Sequence, residues 1–356
     1  MAYDRAGGGT SDLHALYRRS MHRRIVLTIA AALLLLALLV VDLLTGLSPL
    51  TAREGLTALL AGPSGPDRTA AVIVWSIRLP MTLMAALVGM GLGIAGLQMQ
   101  TILDNPLASP FTLGFSAAAG FGAALAILFG ASVPIAAWIL APLSAWVMTL
   151  IACALLYVLA KLRGANAEIL ILGGITIMFM FEACQSLLQY LAEPEVLQQI
   201  VFWMFGSMLK ATWTSVAVIL IVLIGTTPIL LRDTWTLTAM KLGDAHATSL
   251  GADVHALRRC TFGIIALLTA ASVAFVGTIG FVGLIAPHAA RAIAGEDQRI
   301  LLPLSALAGA VMLAAASIVS KIISPGAILP VGIVTAVVGV PVLFALIMRR
   351  GAGELR

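Results

Sequence analysis

The sequence predicts an all-α polytopic membrane protein with ten transmembrane helices, and three observations lead there. Of 356 residues, 61% are hydrophobic and only 10% charged, against about a quarter charged in a soluble domain. The apolar residues gather into ten runs, at about 25–44, 79–100, 112–130, 134–160, 168–191, 214–231, 261–280, 282–294, 301–323 and 330–348; roughly 20 apolar residues span a bilayer. The basic residues fall mostly on one side once ten crossings are drawn. An ordinary soluble globule and a disordered chain are excluded. So is a nucleic-acid binder, because a net charge of +5 carried by so few charges reads as a topology signal.

The first run follows Arg18, Arg19, Arg23 and Arg24 and extends from Ile25 to Leu44 with no small-residue cleavage motif after it. It reads as a retained helix behind a cytoplasmic tail, residues 1–24. Residues 45–77 form an outer loop containing Gly62-Pro63-Ser64-Gly65-Pro66, a turn-rich stretch. The second run carries Gly89, Gly91, Gly93 and Gly96, small residues that let helix backbones approach in lipid. The fifth opens with Gly173 and Gly174, and Glu193 to Met208 after it reads as a short interfacial helix on the outer side. Residues 232–260 form the largest inner loop, with charges at Arg232, Asp233, Lys241, Asp244, Asp253, Arg258 and Arg259. Gly280, Gly283 and Pro287 interrupt the short eighth run, as in segments whose backbone lines a cavity or is shielded by protein. The single permease domain spans 25–349, and 350–356 is a second cytoplasmic tail.

With the N-terminus inside, 16 Lys and Arg lie inside and 5 outside, the latter being Arg53, Arg68, Arg78, Lys210 and Lys321. That asymmetry matches the positive-inside rule and places both termini in the cytoplasm. Cys153, Cys184 and Cys260 are scattered, so neither a disulfide framework nor a metal site is expected. No Gly-Lys pair occurs, hence no P-loop, and no nucleophile–base set or paired catalytic carboxylates appear. The chain is not expected to be an enzyme or to bind a cofactor; any ATP and Mg would belong to a separate ATPase subunit.

Several ordered motifs carry a resemblance. They are Arg78-Leu79-Pro80, Gln100, Asn105-Pro106-Leu107-Ala108, Thr112-Leu113-Gly114 and Leu242-Gly243-Asp244 with Ala247 and Leu250-Gly251. Gly280 to His288 with Arg291, Leu301-Leu302-Pro303 and Leu329-Pro330-Val331-Gly332 follow. Over about residues 70–350 the sequence resembles the permease subunits of type II ABC importers, the FecCD-like family that carries iron–siderophores, haem and vitamin B12. The resemblance implies the type II ABC importer permease fold. It makes Leu242, Gly243, Asp244, Ala247, Leu250 and Gly251 the coupling helix that docks on the ATPase; Gly251 suits a left-handed cap.

The resemblance also implies roles elsewhere. Asn105 and Leu107 fall at a cytoplasmic gate or in an ordinary turn, with Pro106 and Pro110 enforcing non-helical backbone. Glu168, Gly173, Gly174 and Thr176 fall on a pathway-lining helix, where the glycines also suit tight packing. Glu182, in mid-helix, either faces the path or pairs with Gln185, Gln189 or a neighbour. Arg78 and Lys321 fall at outer ends, for docking a periplasmic binding protein or for snorkelling. Two positions depart from the family pattern: Met81 stands where a second Arg is common, and Ile328 where an acidic residue is common. Arg53, Arg68 or Lys210 could compensate.

The function implied is the permease subunit of an ATP-driven importer in a bacterial inner membrane. It would move an iron–siderophore complex by alternating access, with haem or vitamin B12 as alternative cargo. The partners are two ATPase subunits, a periplasmic binding protein, a second permease copy or a paralogue, and the bilayer. A reading of another class is an ion-coupled secondary transporter that uses Glu182.

Overall fold

A computed structural model describes residues 7–46, 48, 50–130, 137–163, 167–323 and 327–353. Tail residues 1–6 and 354–356 and the first residues of the fourth run, 134–136, lie outside the described residues. The chain is helical, with no strand among the described residues. The helices are α1 (Gly7–Leu44), α2 (Ala52–Ala61), α3 (Arg68–Val72), α4 (Leu79–Ile102), α5 (Phe115–Phe129), α6 (Ala137–Arg163), α7 (Ala167–Leu191) and α8 (Pro194–Met204). There follow α9 (Trp213–Arg232), α10 (Thr234–Met240), α11 (Asp244–Ser249), α12 (Val254–Val276), α13 (Val282–Ala294), α14 (Gln298–Ile322) and α15 (Val331–Gly353).

Each of the ten apolar runs lies on a helix. Seven of these helices are long and apolar enough to cross a membrane, counted among the described residues, and Phe115–Phe129, Val282–Ala294 and Val331–Ala345 are shorter apolar helices. Three segments expected between or before the long apolar runs hold helix of their own. The N-terminal tail is helical from Gly7, because α1 runs without a break into the first apolar run. The outer loop 45–77 holds α2 and α3, and a π-helical stretch, Ile73–Arg78, carries α3 into α4. Thr51 caps α2 in a reciprocal box with Glu54, a start signal present in the sequence. The inner loop 232–260 holds α10, α11 and the first turns of α12, whose start is capped by the Asp253 carboxylate. The interfacial helix expected at 193–208 is α8, with Pro194 at its first position.

The core forms around α4, where 20 of 24 residues are buried. Its glycines supply the reason. A Cβ on Gly89 would lie 2.4 Å from the Gly309 carbonyl oxygen of α14, one on Gly93 2.4 Å from that of Ser305, and one on Gly96 1.7 Å from that of Gly283 in α13. α4 therefore meets α13 and α14 backbone to backbone, as helices do where dispersion replaces the hydrophobic drive. Helix α1 is the opposite case. Its spanning part is only 11% buried, and it presents Leu33, Leu36 and Val40 outward.

The chain leaves helix between α12 and α13. Gly277 takes φ +81 and Phe281 φ +68, and a Cβ on Gly277 would meet the Trp203 carbonyl oxygen at 2.1 Å. The break thus rests on the end of α8 and is shielded by protein, which is what makes it tolerable at membrane depth.

Candidate functional site

Three polar constellations bear on function. Two are ion-pair groups at opposite ends of the bundle, and the third lies along α7. At the first end, α10 turns into α11 through Gly243, whose φ of +99 and ψ of 153 suit only glycine. Gly251 follows α11 with φ +86, and its N–H donates to the Thr248 carbonyl, closing the helix as a left-handed glycine does. Ala247 packs inward at 0% exposure, while Leu242 and Leu250, either side of α11, are 70% and 67% exposed.

Asp244 receives a forked pair of hydrogen bonds from Arg258 at the start of α12, at 3.0–3.2 Å. The Arg258 side chain is almost wholly buried and that of Asp244 half exposed. Arg258 Nε also donates to the carbonyl of Ile102, the last residue of α4, at 3.0 Å. One guanidinium therefore joins α11 to the end of the core helix, and its planar fork suits that double duty.

The segment after α4 is tied to the same group. Asp104, at φ +43, pairs with Lys241 at 3.0 Å. The Asn105 side-chain oxygen accepts from the Leu107 N–H at 2.9 Å, an Asx turn that leaves Leu107 exposed. Beneath it Gln100 accepts from Arg291 and donates to the Leu284 carbonyl, linking α4 to α13. Gln298 donates to Thr101 and accepts from Gln98, linking α4 to α14. Asp297 caps α14, and its bonds from Arg299 hold its carboxyl below the usual carboxylate range.

At the other end lie the two cations considered for docking or for snorkelling. Arg78 and Lys321 are not surface cations; they are 4% and 6% exposed. Lys321 pairs with Asp42 of α1 at 2.8 Å and also donates to the Asp42 backbone carbonyl. Thr82 of α4 donates to the same carboxylate at 2.5 Å. Arg78 donates to the Leu43, Leu44 and Ser48 carbonyls and to the Ser48 hydroxyl. Both cations face inward because α1 ends between them and brings a carboxylate and three free carbonyls, which a helix C-terminus must satisfy somewhere. Asp42 was missed from sequence. Its signal was available, an ionisable residue inside an apolar run that requires a partner. Met81 is buried in this same packing, whereas Arg53, Arg68 and Lys210 are exposed.

Along α7 the predicted residues divide between two faces. Gly173 and Gly174 pack inward, against Leu156 and Leu159 of α6 and against Leu113. Glu168, Thr176 and Glu182 lie on the exposed face. Glu182 does not pair with Gln185 or Gln189, whose amides both donate to the Met204 sulfur. Instead it lines an open cavity of about 280 Å³ between α5, α7 and the end of α8.

A family model described as the FecCD transport family matches residues 33–349. The chain belongs to the FecCD transport family. A Methanocaldococcus jannaschii protein named as an ABC transporter permease is 36% identical over 95% of this chain and 98% of its own length. The vitamin B12 import system permease of Vibrio cholerae is 34% identical over 78% of this chain and 83% of its own. The iron-uptake system permease FeuC of Bacillus subtilis is 33% identical over 81% and 88%. A solved structure described as an inward-facing metal-chelate type ABC transporter superposes with a TM-score of 0.79 at 30% identity, covering 91% of this chain and 99% of that one. The fold is thus that of type II ABC importer permeases, and this chain is an ABC importer permease of the FecCD family. Two of these relatives are named as permeases of a vitamin B12 import system and of an iron-uptake system. That membership removes the reason to invoke an ion-coupled carrier.

Proposed function

We infer that this chain moves an iron–siderophore complex across a bacterial inner membrane, from periplasm to cytoplasm, as one of two identical permease copies. The reading places two ATPase subunits on the α11 face, which makes that end and both termini cytoplasmic. The observation that carries it is the α11 region itself. Two exposed leucines flank a helix whose only acidic residue is anchored through Arg258 to the last carbonyl of α4. Apolar anchors within a polar rim are what a protein partner recognises, and the anchor passes a push on α11 directly to the core helix and the Asn105–Leu107 turn.

ATP binding biases the dimer between outward- and inward-open states only if nucleotide and cargo each prefer one of them. In this scheme the exposed face of α7, with Glu168, Thr176 and Glu182, lines the path between the two copies. Arg53, Arg68 and Lys210, not Arg78 and Lys321, supply the positive charge for a binding protein. An iron-uptake permease among the relatives and a metal-chelate transporter among the structures support the cargo; the vitamin B12 permease supports the alternative.

The test is uptake into vesicles that hold the permease with its ATPase and binding protein. Asp244→Arg sets two cations against each other at the α11 anchor. It should insert normally, still bind the ATPase weakly, and lose ATP-driven uptake; unchanged uptake would remove α11 from coupling. Binding of ferric siderophores, haem and cyanocobalamin to the binding protein sorts the cargo.

A further inference from the structure

The cavity beside Glu182 has a chemical polarity that can be read from its hydrogen bonds. Its polar lining is Glu182, Gln185, Ser186, Gln189, Ser116 and Thr278. Most of its protons are already committed elsewhere. The Ser186 hydroxyl donates to the Glu182 backbone carbonyl, and the Thr278 hydroxyl to the Met204 carbonyl. The amide groups of Gln185 and Gln189 both donate to the Met204 sulfur. The one formal charge in the lining is the Glu182 carboxylate, which makes no hydrogen bond or ion pair among the described residues; the Ser116 hydroxyl and the second amide protons of Gln185 and Gln189 stand beside it as donors. No lysine or arginine lines it.

A polar wall with one negative charge and no cation favours a ligand that carries no negative charge of its own. A volume of about 280 Å³ takes an arm of a chelate, since whole drug-sized ligands fill roughly 300–1,000 Å³. We propose that Glu182 and the polar wall around it form a selectivity site that takes uncharged or cationic metal chelates and rejects polyanionic ones. This rests on the reading of α7 as the path-lining helix. Two copies would then set two carboxylates against one cargo, which doubles the discrimination against catecholate and carboxylate chelates. The class includes peptide-ring ferric tris-hydroxamates and amide-bearing corrinoids.

The experiment measures equilibrium binding to the full permease–ATPase complex in nanodiscs, without nucleotide and without a binding protein, so that only the permease selects. The probes are a neutral peptide-ring ferric tris-hydroxamate, neutral cyanocobalamin and a trianionic ferric tris-catecholate. At least one neutral probe should bind wild type and the trianion should not; which neutral probe binds identifies the source. Glu182→Gln should narrow the preference for neutral over trianionic cargo. Glu182→Lys should shift the ratio of the two affinities toward the trianion by roughly tenfold or more, given the strength of charge–charge terms at contact distance. Trianion binding equal to neutral binding in wild type overturns the proposal. So does a ratio that stays the same with Glu, Gln and Lys at this position, and so does binding of no neutral probe. Should the Lys variant fail to assemble, the Gln variant alone decides. ATP-driven uptake by wild type, measured separately with the binding protein, reports on the permease reading; if it persists while the charge order fails, only this inference falls.

Discussion

The two ends of the molecule each carry an ion pair built from a helix terminus, and they differ in which partners water can reach. Lys321 and Asp42 are both sealed, with side chains 2% and 0% exposed, and they join helices nearly 280 residues apart in sequence. Arg258 is sealed too, at 6%, but its partner Asp244 is 56% exposed. A pair with both charges buried is costly to alter and holds one geometry. A pair with one charge at the surface can be addressed by a neighbour while the other still grips the core. The first arrangement fastens α1 to α4 and α14, and the second is suited to passing a load from α11 into α4.

The largest effect should come from breaking the sealed pair. Lys321→Met leaves the Asp42 carboxylate without its cation, and losing one partner of a buried pair costs about 3–5 kcal/mol. Thermal unfolding in detergent should show a large drop and a poor folded yield. Replacing both, Asp42→Leu with Lys321→Met, should recover most of the loss, since apolar replacement of a whole buried pair is often neutral. A double variant no better than the single one would mean that the pair also stabilises by some route other than mutual charge.

Breaking the half-open pair should separate function from stability. Arg258→Met removes both the Asp244 fork and the donor to the Ile102 carbonyl. Cargo moved per ATP should fall by about tenfold, within the usual span of site–site coupling, while the protein stays folded; measuring uptake and hydrolysis together checks it. Equal losses in both would point to simple misfolding at this end. A smaller effect is expected at Gly251→Ala. Nothing lies within 4 Å of the added methyl, so the penalty is backbone alone, about 1–2 kcal/mol at positive φ, and it should appear as faster hydrogen exchange confined to α11.

The smallest effect concerns acid. Arg299 holds the Asp297 carboxyl below its ordinary value of 3.8. Its contribution to stability is therefore present above that value and is lost as pH falls through the lower, folded one. Wild type should lose stability on acidification below about pH 4 slightly more steeply than Asp297→Asn; parallel curves would show that this cap contributes little.

Much of the fold was legible because lipid imposes a simple grammar. Apolar runs located every long helix, and glycines at 89, 93 and 96 marked where α4 would touch its neighbours. A short helix between Leu242 and Gly251 was legible, because a glycine stands at each end of it and both glycines take positive φ in the structure; the coupling role proposed for it came from the family resemblance. The burial of charges near helix ends was not legible. Arg78 and Lys321 flank apolar runs, and sequence position alone places them only at helix ends, open to docking or to snorkelling. Their burial depends on which helix end arrives beside them, a long-range fact with no local pattern. The fates of Gln185 and Gln189 likewise turned on Met204, which arrives from α8. The helical content of residues 52–72 was written locally, in Thr51 and Glu54, but a proline- and glycine-rich stretch beside it suggested a loop.

The contact of Gly96 with Gly283 has a mechanical corollary. With no side chain between them, and with Gly89 and Gly93 seated against α14 in the same way, three helices are joined as tightly as one casting. Such a block has little room to flex. A shove delivered at Ile102 therefore emerges at Arg78, about 36 Å away along the 24 residues of α4, as a tilt of the whole piece. Whatever displaces one of these three helices must carry the other two with it.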